Sequence, residues 1–220
     1  KYYRLIQVNL KHNKMDTHMN SILSSFIVFE GLDGSGKSTQ ARLLCSNLEK
    51  KGLDAVLTAE PTDNPVGCLV RQVLRHQVDT TSQALALLYA ADRSDHLFNR
   101  NYGITKLLES GKTVISDRYF YSSLSYQGVT EDRTFLARIN DYPHPEFVIF
   151  VDTPAEVCMQ RIDKRGEEKE LFDRLDYLRK VRANFLSVFS ALPAGVKYLR
   201  VDGEKTISEQ EEEISSFLSL

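Results

Sequence analysis

The sequence predicts an α/β fold in three layers, a five-stranded parallel sheet with helices on both faces. Three observations carry that prediction. Short β-branched apolar runs alternate along the 220 residues with stretches of helical periodicity. The runs are apolar throughout rather than alternating, as strands covered on both faces are. The first of them, Phe26-Ile27-Val28-Phe29, leads directly into a glycine-rich turn and then a helix.

The elements follow in order. Phe26–Phe29 is the first strand. Leu43, Leu44 and Leu48 recur at helical spacing after the glycines, with Gly52 as the stop. Ala55–Thr58 is the second strand. Residues 66–76 form a helix with Val66, Leu69, Val70, Val73 and Leu74 on one side. A longer helix runs from about Thr81 to Asn99, and a short one ends at Gly111. Thr113–Ser116 is the third strand. Phe147–Val151 is the fourth, entered through Pro143 and Pro145. A helix starts near Pro154, a residue suited to the first helical position. Val196–Val201 is the fifth strand, and a last helix closes the chain. Parallel strands joined by helices imply right-handed crossovers.

Composition narrows the function. Forty-two per cent hydrophobic residues is ordinary for a globular chain. A domain of this length buries roughly 70% of its unfolded surface, so a substantial core is expected. The net charge of −2 gives no sign of a nucleic-acid partner. No apolar run approaches the ~20 residues that cross a bilayer, so no membrane association is expected. Cys45, Cys68 and Cys158 lie far apart, without metal or disulfide spacing, which predicts a reducing, cytoplasmic setting. Residues 1–24 read as an extension that the fold does not need, with the domain at 25–220. They could be upstream read-through before Met15 or Met19, a fragment end or a targeting peptide. The single arginine there, Arg4, argues against the last.

The strongest motif is Gly31-Leu32-Asp33-Gly34-Ser35-Gly36-Lys37-Ser38, a G-x-x-x-x-G-K-[ST] phosphate cradle with a strand before it and a helix after it. Glycines let backbone N–H groups converge on an anion, and the helix N-terminus adds positive potential. Lys37 supplies a charge for the β- and γ-phosphates, and Ser38 a hydroxyl for Mg²⁺. Thr39 follows on the same turn. Such a P-loop fits a kinase, a GTPase switch or an ATPase. The one N-K-x-D sequence, Asn13-Lys14-Met15-Asp16, lies upstream of the cradle, where it cannot form a guanine pocket. Asp117-Arg118-Tyr119 follows the third strand, where an aspartate holds the metal and an arginine takes a phosphate bidentately. The same pair also reads as a helix cap beside a surface arginine.

Residues 29–39, FEGLDGSGKST, with Glu60-Pro61, Ala91-Asp92-Arg93 and Asp117-Arg118-Tyr119 followed by Ser122 and Tyr126, resemble the thymidylate kinases over about residues 25–217. The resemblance implies a P-loop kinase fold with a short mobile lid, and transfer of phosphate from ATP with Mg²⁺ to thymidine monophosphate. It puts Asp33 against the acceptor's sugar and phosphate, and Arg71 and Arg118 on that phosphate. Glu60 approaches the metal or positions Arg118. Tyr89 and Arg93, four apart on one helix face, hold the thymine. Tyr126 lies below the sugar, and Ser123 near the base. The charged run RIDKRGEEK lies in a lid at about 161–172, where Arg165 is the catalytic cation, Lys164 its substitute, and Arg161 stacks on adenine. Some relatives carry the catalytic arginine directly after the P-loop aspartate. Gly34 stands there in this chain, which shifts that role to the lid. The loop Asp202–Lys205 falls near the adenine edge. The family pairs into homodimers through the helix around 81–100. The five histidines read as structural or surface groups. The alternatives are another small-acceptor P-loop kinase and a nucleotide-binding regulatory protein without transfer activity.

Overall fold

The computed structural model describes residues 21–164 and 171–220. Five strands form one sheet: β1 (Ile22–Glu30), β2 (Ala55–Ala59), β3 (Thr113–Asp117), β4 (His144–Asp152) and β5 (Lys197–Asp202). All neighbours are parallel, in the order β2-β3-β1-β4-β5. The helices among the described residues are α1 (Lys37–Lys50), α2 (Pro65–Leu74), α3 (Ser82–Phe98), α4 (Ile104–Glu109), α5 (Phe120–Tyr126), α6 (Arg133–Ile139), α7 (Ala155–Asp163), α8 (Leu171–Phe189) and α9 (Ile207–Leu218).

Successive side chains of a strand point to opposite faces, and the apolar runs supply both cores at once. Phe26, Val28, Val114, Val148 and Phe150 pack on one face with Leu178, Val181 and Phe185 of α8. Ile27, Phe29, Ile115, Ile149 and Val151 pack on the other with Ala41, Leu44 and Leu48 of α1 and Ile214 of α9. Phe26, Val28, Phe29, Val148, Ile149 and Phe150 have no exposed surface at all.

The helix starts use local chemistry. Thr81 caps α3 by accepting from Ala84 N, and Asp132 caps α6 by accepting from Phe135 N. Thr206 and Glu209 form a reciprocal capping box on α9. Pro65 occupies the first turn of α2, whereas Pro154 is the N-cap of α7, one position before the first helical residue.

Several bounds differ from the sequence reading. Strand β1 begins at Ile22, which pairs with His144, and its register shifts between Leu23 and Ile27 around Ser25 (φ 60°). Ser25 N donates to Glu146 Oε2 at 2.8 Å there. Residues 22–24 therefore belong to the sheet. Helix α2 ends at Leu74, and His76 turns the chain with φ 57°. Helices α5 and α6 and the 3₁₀ turn Gln127–Val129 fill a region that shows little helical periodicity in the sequence.

The carboxyl ends Glu30, Asp117, Asp152 and Asp202 lie along one rim of the sheet. In open parallel sheets ligands sit at that rim, at the point where the strand order reverses.

Candidate active site

The cradle sits where β1 meets α1. Gly36, the N-cap of α1, has φ 102°, which a side chain tolerates poorly. Gly34 has φ +82°, and a Cβ there would lie 2.7 Å from the carbonyl oxygen of Cys158. An arginine after Asp33 would therefore be strained in its backbone and crowded against Cys158. Lys37 is only 5% exposed. Its Nζ reaches Leu32 O at 3.5 Å and stands 4.0 Å from both Asp33 Oδ1 and Asp117 Oδ1. Burial pushes the Lys37 ammonium below its usual range, with Arg118 adding to the effect and the nearby carboxylates opposing it.

Arg161 on α7 donates to Gly34 O at 3.3 Å, Ser35 O at 3.2 Å and Gly203 O at 3.0 Å. It fastens the cradle to the loop after β5. Gly203 packs so closely there that a Cβ would fall 1.8 Å from Thr153 Oγ1. Arg165 lies outside the described residues, as do the other residues of 165–170.

Beside the cradle opens a cavity of about 390 Å³. Asp33, Glu60, Tyr89, Arg93, Arg118, Ser122, Ser123 and Tyr126 all line it. Residues from the loops after β1, β2 and β3 and from helices α3 and α5 thus meet in one place. A second cavity of about 320 Å³ is lined by Ser38, Asp117 and Arg71, with Pro61 shared between the two. Arg71 faces this second space, donating to Asp63 Oδ1 at 2.6 Å and to the carbonyl of Thr62. It is not on the wall that carries Arg118.

Arg118 organises the cradle end of the first cavity. Its backbone takes φ 78°, a left-handed conformation that turns the side chain back over the cradle. The guanidinium donates to Asp33 Oδ1 at 2.6 Å, Ser122 Oγ at 2.8 Å and Gly31 O at 3.2 Å. It lies 5.1 Å from the Tyr126 ring centre, a cation–π contact. The Tyr126 hydroxyl accepts from Asp33 N at 3.0 Å. Desolvation works against the Asp33 charge, but Arg118 and Lys37 outweigh it and hold the carboxyl down at about 2.

Glu60 does not position Arg118. Its Oε2 accepts from Arg93 Nε at 2.8 Å, and its Oε1 stands 3.1 Å from His96 Nδ1. Arg93, 1% exposed, also donates to Ser123 Oγ at 3.0 Å and Asn140 Oδ1 at 2.5 Å. Besides Asp33, the carboxyl group that interacts with Arg118 is that of Glu30, which has no exposed surface. It accepts from Tyr119 N at 2.9 Å, Ser122 N at 3.1 Å and Ser122 Oγ at 2.6 Å. Burial raises its carboxyl to about 7 against the opposing pull of Arg118, Ser122, Tyr119 and Lys37.

Sequence reasoning assigned no role to Glu30, Gln127, Tyr177, Asn140 or His96. A charged residue ending an apolar strand was the available signal for Glu30. Gln127 lines the first cavity with Oε1 buried and without a hydrogen-bond partner. Tyr177 lines it too, and donates from its hydroxyl to Tyr126 O at 3.1 Å.

For a divalent ion, the fitting observation is Asp117 Oδ1, a buried acceptor with no hydrogen-bond partner, facing the same cavity as Ser38. Magnesium keeps several waters and needs only one or two protein oxygens, so this pair fits it. No cluster of three or more His, Cys, Asp or Glu occurs among the described residues.

A parallel sheet ordered 2-3-1-4-5, a P-loop at its switch point and a cavity of about 390 Å³ beside it define a P-loop kinase. A thymidylate kinase family model matches residues 29–214. The chain belongs to the thymidylate kinase family. Proteins named as thymidylate kinases resemble it in Treponema pallidum (40% identical, covering 88% of this chain and 94% of that one) and Pyrococcus horikoshii (42%, covering 76% and 84%). One from Methanocaldococcus jannaschii is 35% identical, covering 88% and 95%.

Proposed function

We propose that this chain transfers the γ-phosphoryl group of ATP to thymidine monophosphate, giving ADP and thymidine diphosphate. The observation that carries the reading is the 390 Å³ cavity, which is lined both by Asp33 and Arg118 beside the P-loop and by Tyr89, Arg93 and Gln127. A nucleoside monophosphate has that polarity, with an anion at one end and a flat polar base at the other.

The cradle residues Gly31 to Thr39 hold the donor phosphates, and Lys37 neutralises them as charge shifts. A bound Mg²⁺ would supply positive charge against the charge that develops on the transferred group. Ser38 and Asp117 are the residues to hold it. Arg118 receives the acceptor phosphate by exchanging its bond with Asp33, and Arg71 reaches the same phosphate by leaving Asp63. The acceptor is an oxyanion at neutral pH, so no general base is required. Arg161 backs the adenine, and Arg165 in the lid stabilises the moving phosphoryl group.

At the base end, the Tyr89 ring lies against thymine, with stacking worth ~1–3 kcal/mol in comparable settings. Arg93 keeps two of its five N–H donors outside the three bonds described above, and one serves the exocyclic 4-oxygen. The unpartnered Oε1 of Gln127 accepts the ring N–H. Tyr126, held by Asp33 N, closes the space below the sugar against a 2′-hydroxyl. On α3, Leu87 and Phe98 are 49% and 40% exposed, which supports pairing of two copies through that helix.

The test is ADP release with ATP and Mg²⁺ against a panel of nucleoside monophosphates. Turnover strongest with thymidine monophosphate is expected. Preference for a different acceptor would leave a P-loop kinase and remove the base assignment.

A further inference from the structure

Helix α3 grips the loop after β2 with three side chains. Asp92, 1% exposed, accepts from Thr62 N at 2.8 Å and Thr62 Oγ1 at 2.5 Å. One residue on, Arg93 donates to Glu60 Oε2. One turn further, His96, 5% exposed, places Nδ1 3.1 Å from Glu60 Oε1 and Nε2 2.7 Å from Thr58 Oγ1. A neutral imidazole satisfies both contacts: Nδ1–H donates to the carboxylate and Nε2 accepts the threonine hydrogen. Each Glu60 oxygen is then held by a different α3 side chain, which fixes the carboxylate plane at both ends. Arg93 is itself fixed at three points, by Glu60, Ser123 and Asn140.

We infer that His96 is a positioning residue for base selection: by holding Glu60 it sets the plane of the Arg93 guanidinium and the aim of the donors that face the acceptor base. The inference rests on the reading of Arg93 as a base contact. Arg93 and Glu60 line the cavity and His96 does not, and the side-chain contact that links His96 to that lining is the one to Glu60. A fixed donor favours thymine, with oxygen at position 4, over cytosine, with an amino group there. Aim matters because a site that presents a donor to a donor pays desolvation without a bond.

The experiment measures kcat and KM for thymidine and deoxycytidine monophosphates in wild type, His96→Leu, His96→Asn, Thr58→Val and Arg93→Lys. His96→Leu should narrow the thymidine-to-deoxycytidine ratio of kcat/KM by ~10-fold, the scale of one hydrogen bond to a charged group. The change should fall on KM for the acceptor, with KM for ATP and kcat within about twofold of wild type. His96→Asn keeps a donor where Nδ1–H stood and should restore most of the ratio. Thr58→Val removes the group that orients the ring and should shift the ratio in the same direction by less. Should His96→Leu fail to fold in a thermal melt, Thr58→Val decides, and a wild-type ratio there overturns the inference. A uniform loss for both acceptors with the ratio unchanged also overturns it. If Arg93→Lys leaves the ratio unchanged, the base assignment falls and the inference with it. If Arg93→Lys collapses the ratio while the His96 and Thr58 variants keep it, the role of His96 alone falls.

Discussion

Replacing Glu30 by glutamine should make the unliganded protein more stable at pH 8 relative to wild type than it is at pH 4.5. The carboxyl has an ordinary value of 4.5 in the unfolded chain and about 7 in the fold, because burial outweighs Arg118 and the hydrogen bonds around it. The protonated group is carried by both states below pH 4.5. Between 4.5 and 7 the unfolded chain ionises while the folded one keeps its proton, so stability falls as pH rises across that window. The difference of 2.5, taken between 7 and 4.5, corresponds to ~3 kcal/mol at 1.36 kcal/mol per unit. Glutamine does not titrate, and its carbonyl can still accept from Tyr119 N and Ser122 N. The Ser122 hydroxyl can rotate to accept from the new amide. Urea unfolding of both proteins at several pH values gives the comparison. The chain has no tryptophan, so far-UV circular dichroism is the signal to follow. A wild-type-to-variant gap that moves by less than ~1 kcal/mol between pH 4.5 and 8 would refute the reasoning.

Other outcomes follow from the same geometry. Arg165→Ala should lower kcat by ~10³-fold while leaving both KM values nearly unchanged, as expected of a cation that acts on the transferred group; steady-state kinetics checks this, and an unchanged kcat removes the residue from that role. Asp117→Asn should raise the Mg²⁺ concentration needed for half-maximal rate, read from a magnesium titration at fixed ATP. Arg71→Ala should raise KM for the acceptor ~10-fold or more with little change in KM for ATP, as expected if its guanidinium leaves Asp63 for the acceptor phosphate. Arg93→Ala leaves Glu60 buried without its guanidinium, and a loss of ~3–5 kcal/mol in unfolding experiments is expected.

The parts of this structure that depend on neighbours in the chain were legible in the sequence. Strand cores such as Phe26–Phe29 and Phe147–Val151 carry their burial in their composition. The cradle carries its geometry in its glycines and flanks. Helices α5 and α6 were not legible, being seven residues each: α5, FYSSLSY, is rich in aromatics and serines, and α6, RTFLARI, is too short for an apolar pattern to repeat. Bounds shifted where a tertiary contact decided them. Strand β1 extends back to Ile22 because β4 offers His144 and Pro145 as partners.

Within the site, eight residues named from sequence do meet in one cavity, but which of them touch was not legible. Glu60 lies 33 positions from Arg93 and 58 from Arg118, and neither spacing says which arginine it meets. The fold settles it, because α3 passes beside the loop after β2 and presents Arg93 and His96 together. Arg118 finds Glu30 and Asp33 instead, through the parallel pairing of β1 with β3. His96 looked like one of several scattered histidines, and only packing reveals that both its nitrogens are engaged.

The most direct test of the central claim is the identity of the product. Purified protein incubated with ATP, Mg²⁺ and thymidine monophosphate should form thymidine diphosphate in equal amount to ADP, as read by ion-exchange separation and mass spectrometry. ADP formed without thymidine diphosphate, or a diphosphate made only from another acceptor, would contradict the account.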